Sequence, residues 1–389
     1  MSLRTIKPNI YFLGSQDWDR TLFDELIPLP DGTSYNSYLI LGNKKNALID
    51  TVDPRKTQEL IEKIKKLNVK IDYIIVNHAE QDHSGSLPPV IQLCPQAQVV
   101  TNQKCKEFLK NLLIIPEEKF LTVQDGDNLS LGDKTLEFIF TPWVHWPETM
   151  VTYLKEDKVL FTCDFFGSHL ASSNLFVENE KEVYGSIKRY FAEIMMPFRK
   201  IISGNLKKIN KIDIDIIAPS HGPLHKNVEF VLDLYKEWVS DETKQEVVLP
   251  FVSMHGSTRI MVDHLIERLL EKNFVVKPFN LSNADIGDIA EALVDASTLI
   301  IATPTVLTGP HPLAVYVAYL TNILKPKIKY ISIIGSYGWG GRTVEQLQSM
   351  IPNLNVDVID PVLIKGIPQS EDLIKIEKLA DEIVRKNES

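Results

Sequence analysis

Four side chains able to ligate a cation fall within the six positions His78-Ala79-Glu80-Gln81-Asp82-His83, directly after Asn77 and an apolar run of strand length. On a loop leaving a strand, that spacing lets side chains converge on one small volume from two sides. Further candidates stand at His145, Asp164 and His221, each just after a strand-like run. Together they are four histidines, two aspartates and one glutamate. One carboxylate can bridge two ions, so seven residues suffice for two metals with coordination positions left open. No cysteine joins the set, which argues against a thiolate zinc or copper site. Three carboxylates against two divalent ions leave a charge that one hydroxide would nearly neutralise. Mixed imidazole and carboxylate ligation suits iron or manganese, and zinc tolerates it.

A second constellation lies in the last third of the chain. Ser253-Met254-His255-Gly256-Ser257-Thr258 opens a helix-like pattern, and hydroxyls with free N–H groups at a helix start form an anion site. No Walker lysine follows, so a triphosphate is not implied. Thr303-Pro304-Thr305-Val306-Leu307-Thr308-Gly309 and Ser336-Tyr337-Gly338-Trp339-Gly340-Gly341 are two more loops that follow strand-like runs. Their glycines let backbone approach a flat ring closely, and Tyr337 or Trp339 can stack on one.

The elements that must hold these loops differ between the two halves. In the first, strand-length runs at Asn46–Asp50, Ile71–Val76, Leu136–Phe140, Met150–Leu154, Val159–Thr162 and Ile214–Ala218 mix with a helical pattern over Thr57–Leu67. A polar stretch near Trp238–Glu246 marks a boundary, giving domains 1–246 and 247–389. Beyond it, strands at Val247–Val252, Val275–Phe279, Leu299–Ala302, Tyr330–Ile334 and Val356–Val358 alternate with helical patterns. These are Ser257–Lys272, Asp285–Ala296, Pro312–Leu324, Thr343–Met350 and Ser370–Arg385. That rhythm predicts a doubly wound parallel α/β sheet, by default in the order 2-1-3-4-5, with the three loops at its switch point.

The chain has 389 residues, a formal charge of -9 and no basic run, so nucleic-acid binding has no support. Its apolar stretches are too short to span a bilayer, and its first residues lack a signal-peptide core. Three scattered cysteines, Cys94, Cys105 and Cys163, fit a reducing cytoplasm and offer no C-x-x-C iron site. His225 and His264 read as ordinary core or surface histidines.

The metal motif resembles that of the metallo-β-lactamase superfamily, with Glu80 where its zinc hydrolases carry a second histidine. The variant H-x-E-x-D-H, followed by His145, Asp164 and His221, resembles the flavodiiron proteins. So do Asp17-Trp18-Asp19, Thr33–Tyr38, His145-Trp146-Pro147-Glu148-Thr149-Met150 and Asp164-Phe165-Phe166-Gly167. The resemblance implies an αββα sandwich followed by a flavodoxin-like domain holding FMN. It places His78, Glu80, His145 and bridging Asp164 on one iron, and Asp82, His83, Asp164 and His221 on the other. It puts His169 and Tyr190 near the open face as hydrogen-bond or proton donors. At Leu307-Thr308 the chain departs from the family, where an asparagine is common. The implied activity is reduction of O2 to water or of NO to N2O, with electrons from rubredoxin or a reduced deazaflavin coenzyme. The Ser253–Thr258 loop and the two-domain length look more like the methanogen deazaflavin oxidases. A head-to-tail homodimer, or a dimer of dimers, is implied as well. The alternative is a binuclear zinc hydrolase with an accessory flavodoxin-like domain.

Overall fold

The computed structural model describes residues 4–388. The chain divides into two compact units. One takes in the residues through Phe191 together with Phe198–Val239, and the other Ala192–Pro197 together with Ser240 onward. The boundary expected after residue 246 falls inside a strand, Lys244–Phe251. Its polar start is still paired, Glu246 opposite Val275 and Lys244 donating its N–H to the Asp295 carbonyl.

The first unit is a sandwich of two sheets. The seven-stranded sheet runs Arg4–Lys7, Ile10–Phe12, Tyr38–Leu41, Asn46–Ile49, Tyr73–Ile75, Gln98–Asn102 and Phe120–Val123 in spatial order. It is antiparallel up to the Tyr38–Leu41/Asn46–Ile49 pair and parallel from there on. Parallel neighbours need crossovers, and Thr57–Leu67, Leu87–Leu93 and Gln103–Leu113 supply the helices. The five-stranded sheet runs Asn128–Ser130, Thr135–Phe140, Met150–Leu154, Val159–Cys163 and Ile216–Pro219. Its last pair is parallel, joined through helices Glu180–Tyr190 and Arg199–Ile209.

Alternation along the strands explains the layers. Leu136 and Phe138 point inward while Glu137 points away, and Ile40, Ile49, Ile75 and Val100 meet them from the facing sheet. Phe161 lies at the middle, its ring 5.0 Å from that of Tyr38 in the opposite sheet.

The second unit is a parallel sheet in the order Val275–Asn280, Lys244–Phe251, Ala296–Ala302, Tyr330–Tyr337 and a split fifth strand. In sequence terms this is 2-1-3-4-5. The fifth strand has two pieces, Asp357–Val358 and Val362–Lys365, both paired to Tyr330–Tyr337. Val247, Leu249 and Phe251 face helices Ser257–Glu271 and Ser370–Glu388 on one side. Val248 and Val252 face Ile286–Leu293 and Pro312–Leu324 on the other.

Phe161→Ala removes the ring that joins the two sheets. It should cost about 3–5 kcal/mol, read as a lowered denaturant midpoint for the first unit's near-ultraviolet signal. A midpoint within error of wild type would show that the sandwich core is not where its stability lies.

Candidate functional site

The seven sequence-predicted metal residues converge at one end of the sandwich, each from a loop that follows a strand. After Tyr73–Ile75 the chain turns through Asn77, whose amide and side chain are fixed by Asp50 (2.8 and 2.9 Å) and by Thr152 (2.7 Å). His78 and Glu80 follow on the loop, and Asp82 and His83 ride on the short helix Gln81–Ser84. His145 comes from the loop after Thr135–Phe140, Asp164 from the turn after Val159–Cys163, and His221 from the loop after Ile216–Pro219. That last loop is held by Asn36, whose amide donates to the Pro219 and Gly222 carbonyls (2.7 and 2.8 Å). Gly222 has a φ of +78°, and a Cβ there would stand 2.1 Å from the Ser168 hydroxyl, so the turn requires glycine.

The donor atoms form two groups joined at Asp164. His78 Nε2 and His145 Nε2 each lie 3.1 Å from Glu80 Oε2 and 3.5 Å from Asp164 Oδ2. On the other side, Asp164 Oδ1 is 3.0 Å from His83 Nε2 and 3.4 Å from His221 Nε2. Asp82 completes that group, its two oxygens 3.2 Å from His83 and 3.1 Å from His221. Donors about 2.1 Å from one ion and roughly 90–110° apart are themselves about 3.0–3.4 Å apart. The observed spacings match that figure, so both groups fit a cation. Asp82 Oδ1 and Oδ2, His83 Nε2 and Asp164 Oδ2 are buried with no protein hydrogen-bond partner, a costly arrangement that cations would satisfy.

Outer contacts orient these ligands. His78 Nδ1 lies 2.7 Å from Glu148 Oε1, which also accepts from the Ala79 amide. His221 Nδ1 lies 2.7 Å from the Ser34 carbonyl. With the Nδ1 protons on these acceptors, both Nε2 lone pairs face the centre. Burial alone would raise the Asp164 carboxyl. The surrounding imidazoles, His83 foremost, outweigh it and hold the group well below the usual carboxylate range. Tyr190 donates its hydroxyl to Asp164 Oδ1 at 3.0 Å, and burial, then the Asp164 charge, keeps it a phenol. His169 Nδ1 meets the Thr33 hydroxyl at 2.9 Å. Its ring stands 4.9 Å from both Tyr190 and His221, and burial holds it well below the usual histidine range.

The sequence reading gave no role to Glu148, Ser34, Thr33, Asn36 or Asp50. Glu148 carried a readable signal, an acid three residues beyond His145 in a mostly apolar stretch. The contacts of Ser34, Asn36 and Asp50 join residues far apart in the chain, which spacing cannot show. His225 stays outside the centre, pushed down to about 4 by burial and directed at the Phe166 carbonyl. His264 lies in the second unit and pairs with Glu377.

In the second unit a cleft opens at the C-terminal ends of the strands. Its walls are Ser253, Met254, His255, Ser257 and Thr258 from the first loop, Pro304 and Thr305 from the second, and Ser336, Tyr337 and Gly338 from the third. Gly366, after the fifth strand, also lines it and escaped the sequence reading. Thr258 and Ser336 share a buried hydroxyl contact of 3.1 Å, which ties the first loop to the third. Several expected residues stand off these walls. Gly256 is the left-handed residue before the helix, with a φ of +88°. Val306, Leu307, Thr308 and Gly309 form a hairpin end whose middle two residues take positive φ and turn outward, Leu307 being 88% exposed. Gly341 packs behind that hairpin, where a Cβ would lie 2.7 Å from Thr305 Cγ2. Trp339 and Gly340 project from the third loop, the indole 67% exposed.

Comparisons with known proteins agree with this pairing of sites. A family described as ODP family beta lactamase matches residues 33–222. The chain is 33% identical over 391 residues to the nitric oxide reductase of Moorella thermoacetica, covering 98% of each. It is 31% identical over 393 residues to the anaerobic nitric oxide reductase flavorubredoxin of an Enterobacter species, covering 98% of this chain and 81% of that one. Among solved structures, rubredoxin oxygen:oxidoreductase of Desulfovibrio gigas superposes with a TM-score of 0.95 at 26% identity, over 99% of this chain and 98% of that one. The flavodiiron protein of Giardia intestinalis gives 0.90 at 27% identity, over 100% and 98%. With two donor groups sharing one carboxylate in its first unit and a cleft at the strand ends of its second, the chain belongs to the flavodiiron proteins.

Proposed function

We propose that this chain is an oxidoreductase that reduces O2 to water, NO to N2O, or both, using FMN and a non-haem di-iron centre. The observation that carries this reading is Asp164, one buried carboxylate whose two oxygens each complete a separate histidine and carboxylate donor group. His78, Glu80, His145 and Asp164 would hold one iron, and Asp82, His83, His221 and Asp164 the other. The three strand-end loops and Gly366 would hold FMN. Reduced FMN supplies two electrons and the ferrous pair two more, enough to convert one O2 to two waters, while two suffice for two NO to N2O. The protein fixes the ligand rings through Glu148 and Ser34, keeps hydrogen-bond donors on one side through Tyr190, and encloses the ligands in buried loops. The zinc-hydrolase alternative is not favoured, since Glu80 replaces its second histidine and the Moorella and Enterobacter relatives are named as nitric oxide reductases.

The electrons come from an external carrier. Relatives named for rubredoxin support a rubredoxin-type donor, and the reduced deazaflavin coenzyme is our second candidate. Among the described residues no helix is long and apolar enough to cross a membrane, and we place the protein in the cytoplasm. We further propose a head-to-tail homodimer, alone or as a dimer of dimers. Exposed apolar residues support it on each unit separately: Trp18 and Leu26 near the first-unit hairpin, and Met254, Leu307 and Trp339 around the flavin cleft. Symmetric pairing would cover both sets.

The deciding experiment is anaerobic assay of iron- and FMN-loaded protein with O2 and NO in turn, each donor supplied separately. Gas consumption is expected; zinc-dependent thioester or phosphodiester hydrolysis without it would overturn the reading. Asp164→Ala should abolish stoichiometric iron binding at both positions, measured by metal analysis, while FMN stays bound. Glu148→Gln should weaken iron retention about 10–100-fold in chelator competition. Ser257→Ala should weaken FMN binding about tenfold or more, as expected for a lost hydrogen bond to a charged group, and leave iron content unchanged.

A further inference from the structure

A run of aromatic rings leads from the bridging carboxylate to the surface of the first unit. Phe165 and Phe166 follow Asp164 in the chain and stack with centroids 3.9 Å apart. Tyr235 packs on both, at 5.4 and 4.9 Å. Phe191, next to Tyr190, contacts Tyr235 at 5.3 Å and Trp238 at 5.2 Å. Tyr235 and Trp238 stand three residues apart on the helix Val228–Val239, with rings 5.7 Å apart. Trp238 then meets Tyr184 at 6.1 Å, and Tyr184 is partly exposed.

Packing alone does not account for these residue types. Tyr235 and Trp238 are fully buried. The Trp238 Nε1–H has no protein hydrogen-bond partner among the described residues, and the Tyr235 hydroxyl faces the Phe166 backbone without a well-formed hydrogen bond. Each such group costs stability that a phenylalanine in the same place would not. What tyrosine and tryptophan offer instead is chemical, because both give up an electron far more readily than phenylalanine or an aliphatic side chain.

We propose that Tyr235, Trp238 and Tyr184 form a discharge route, which carries oxidising equivalents away from the metal centre when O2 arrives before four electrons are loaded. The proposal rests on the O2-reductase reading. In the discharge step Tyr184 loses one electron to the centre and its phenolic proton to water. Trp238 and Tyr235 relay the electron and finish as they began. The oxidant is O2: where three electrons are loaded, the one from Tyr184 is the fourth, and with four protons O2 leaves as two waters. The Tyr184 radical then takes one electron and one proton from a cellular thiol, two such thiols ending as one disulfide. Loss of an electron makes the phenol strongly acidic, so the proton leaves with the electron.

The test uses FMN- and iron-loaded protein given fewer electrons than full reduction requires. It is mixed with O2 and freeze-quenched for electron paramagnetic resonance, with O2 uptake measured on the same sample. A parallel arm replaces O2 with hydrogen peroxide, so the oxidant does not depend on O2 reduction. A tyrosyl signal is expected, absent in Tyr184→Phe and several-fold weaker in Trp238→Phe. Peptide mapping should show several-fold more oxidation around the metal loops in both variants, with gas uptake unchanged under excess donor. No aromatic radical in either arm, or an unchanged signal in Tyr184→Phe, would overturn the route. A radical in the peroxide arm without O2 uptake would uphold the route and overturn the O2-reductase reading instead. Tyr184→Phe removes only a partly exposed hydroxyl, so its comparison stands even where the buried variant fails to fold.

Discussion

The site turns on one carboxylate being shared. Asp164 is 1% exposed, and an isolated anion buried so deeply would normally be neutralised. Here His78 and His145 flank one oxygen, and His83 and His221 flank the other. Tyr190 adds a hydrogen bond to the second side. The charge is stable only while those donors stay in place. The backbone around Asp164 reflects this constraint, with Cys163 and Phe166 both held at positive φ. That tight turn aims the carboxylate across the sandwich end instead of along the strand.

The rest of the first unit supplies fixed points for that geometry. The seven ligands come from four strand ends, and these ends are tied to distant segments. Asp50 holds Asn77, Asn36 holds the loop that carries His221, and Glu148 holds both His78 and the Ala79 amide. These are buried polar contacts in a low-dielectric setting, where a satisfied network specifies one arrangement and a partly satisfied one is costly. The sandwich core behind them is nearly all apolar, so it resists deformation without competing for the donors.

Much of the second unit was legible because a parallel sheet buried on both faces writes its pattern plainly. Helix Pro312–Leu324 begins and ends where its apolar period and proline start predicted, and the strand order is the default taken for five alternating strands. The fifth strand was read only in part, since Asp360 and Pro361 interrupt it and hid Val362–Lys365 and Gly366. In the first unit helix Thr57–Leu67 was legible from its period, with Pro54 before it and left-handed Asn68 after it. The two- and three-residue strands between Ser15 and Tyr35 were not, being too short for any periodicity to register. The metal residues could be named because their types are chemically scarce. Thr33 and Ser34 could not, because small hydroxyl residues are common and their contacts are long-range. Of the two rings able to stack on a flat ligand, Tyr337 lines the cleft and Trp339 stands on the exposed part of the same glycine-rich loop.

The distribution of unsatisfied polar atoms separates two kinds of buried cost in this unit. Around Asp82, His83 and Asp164 the orphaned atoms are ligand atoms in two tight groups, so cation binding repairs them together and couples metal loading to the order of four loops. At Trp238 the unmatched N–H lies inside an aromatic cluster, where no charged or ligating side chain faces it among its ring contacts. A metal cannot repair that cost, and a phenylalanine there would not incur it. One set of exceptions to the rule of satisfied burial therefore belongs to binding. The other belongs to a property of the ring itself, and Tyr235 links the two, packed on the Phe165–Phe166 stack that begins at the shared carboxylate's own neighbour.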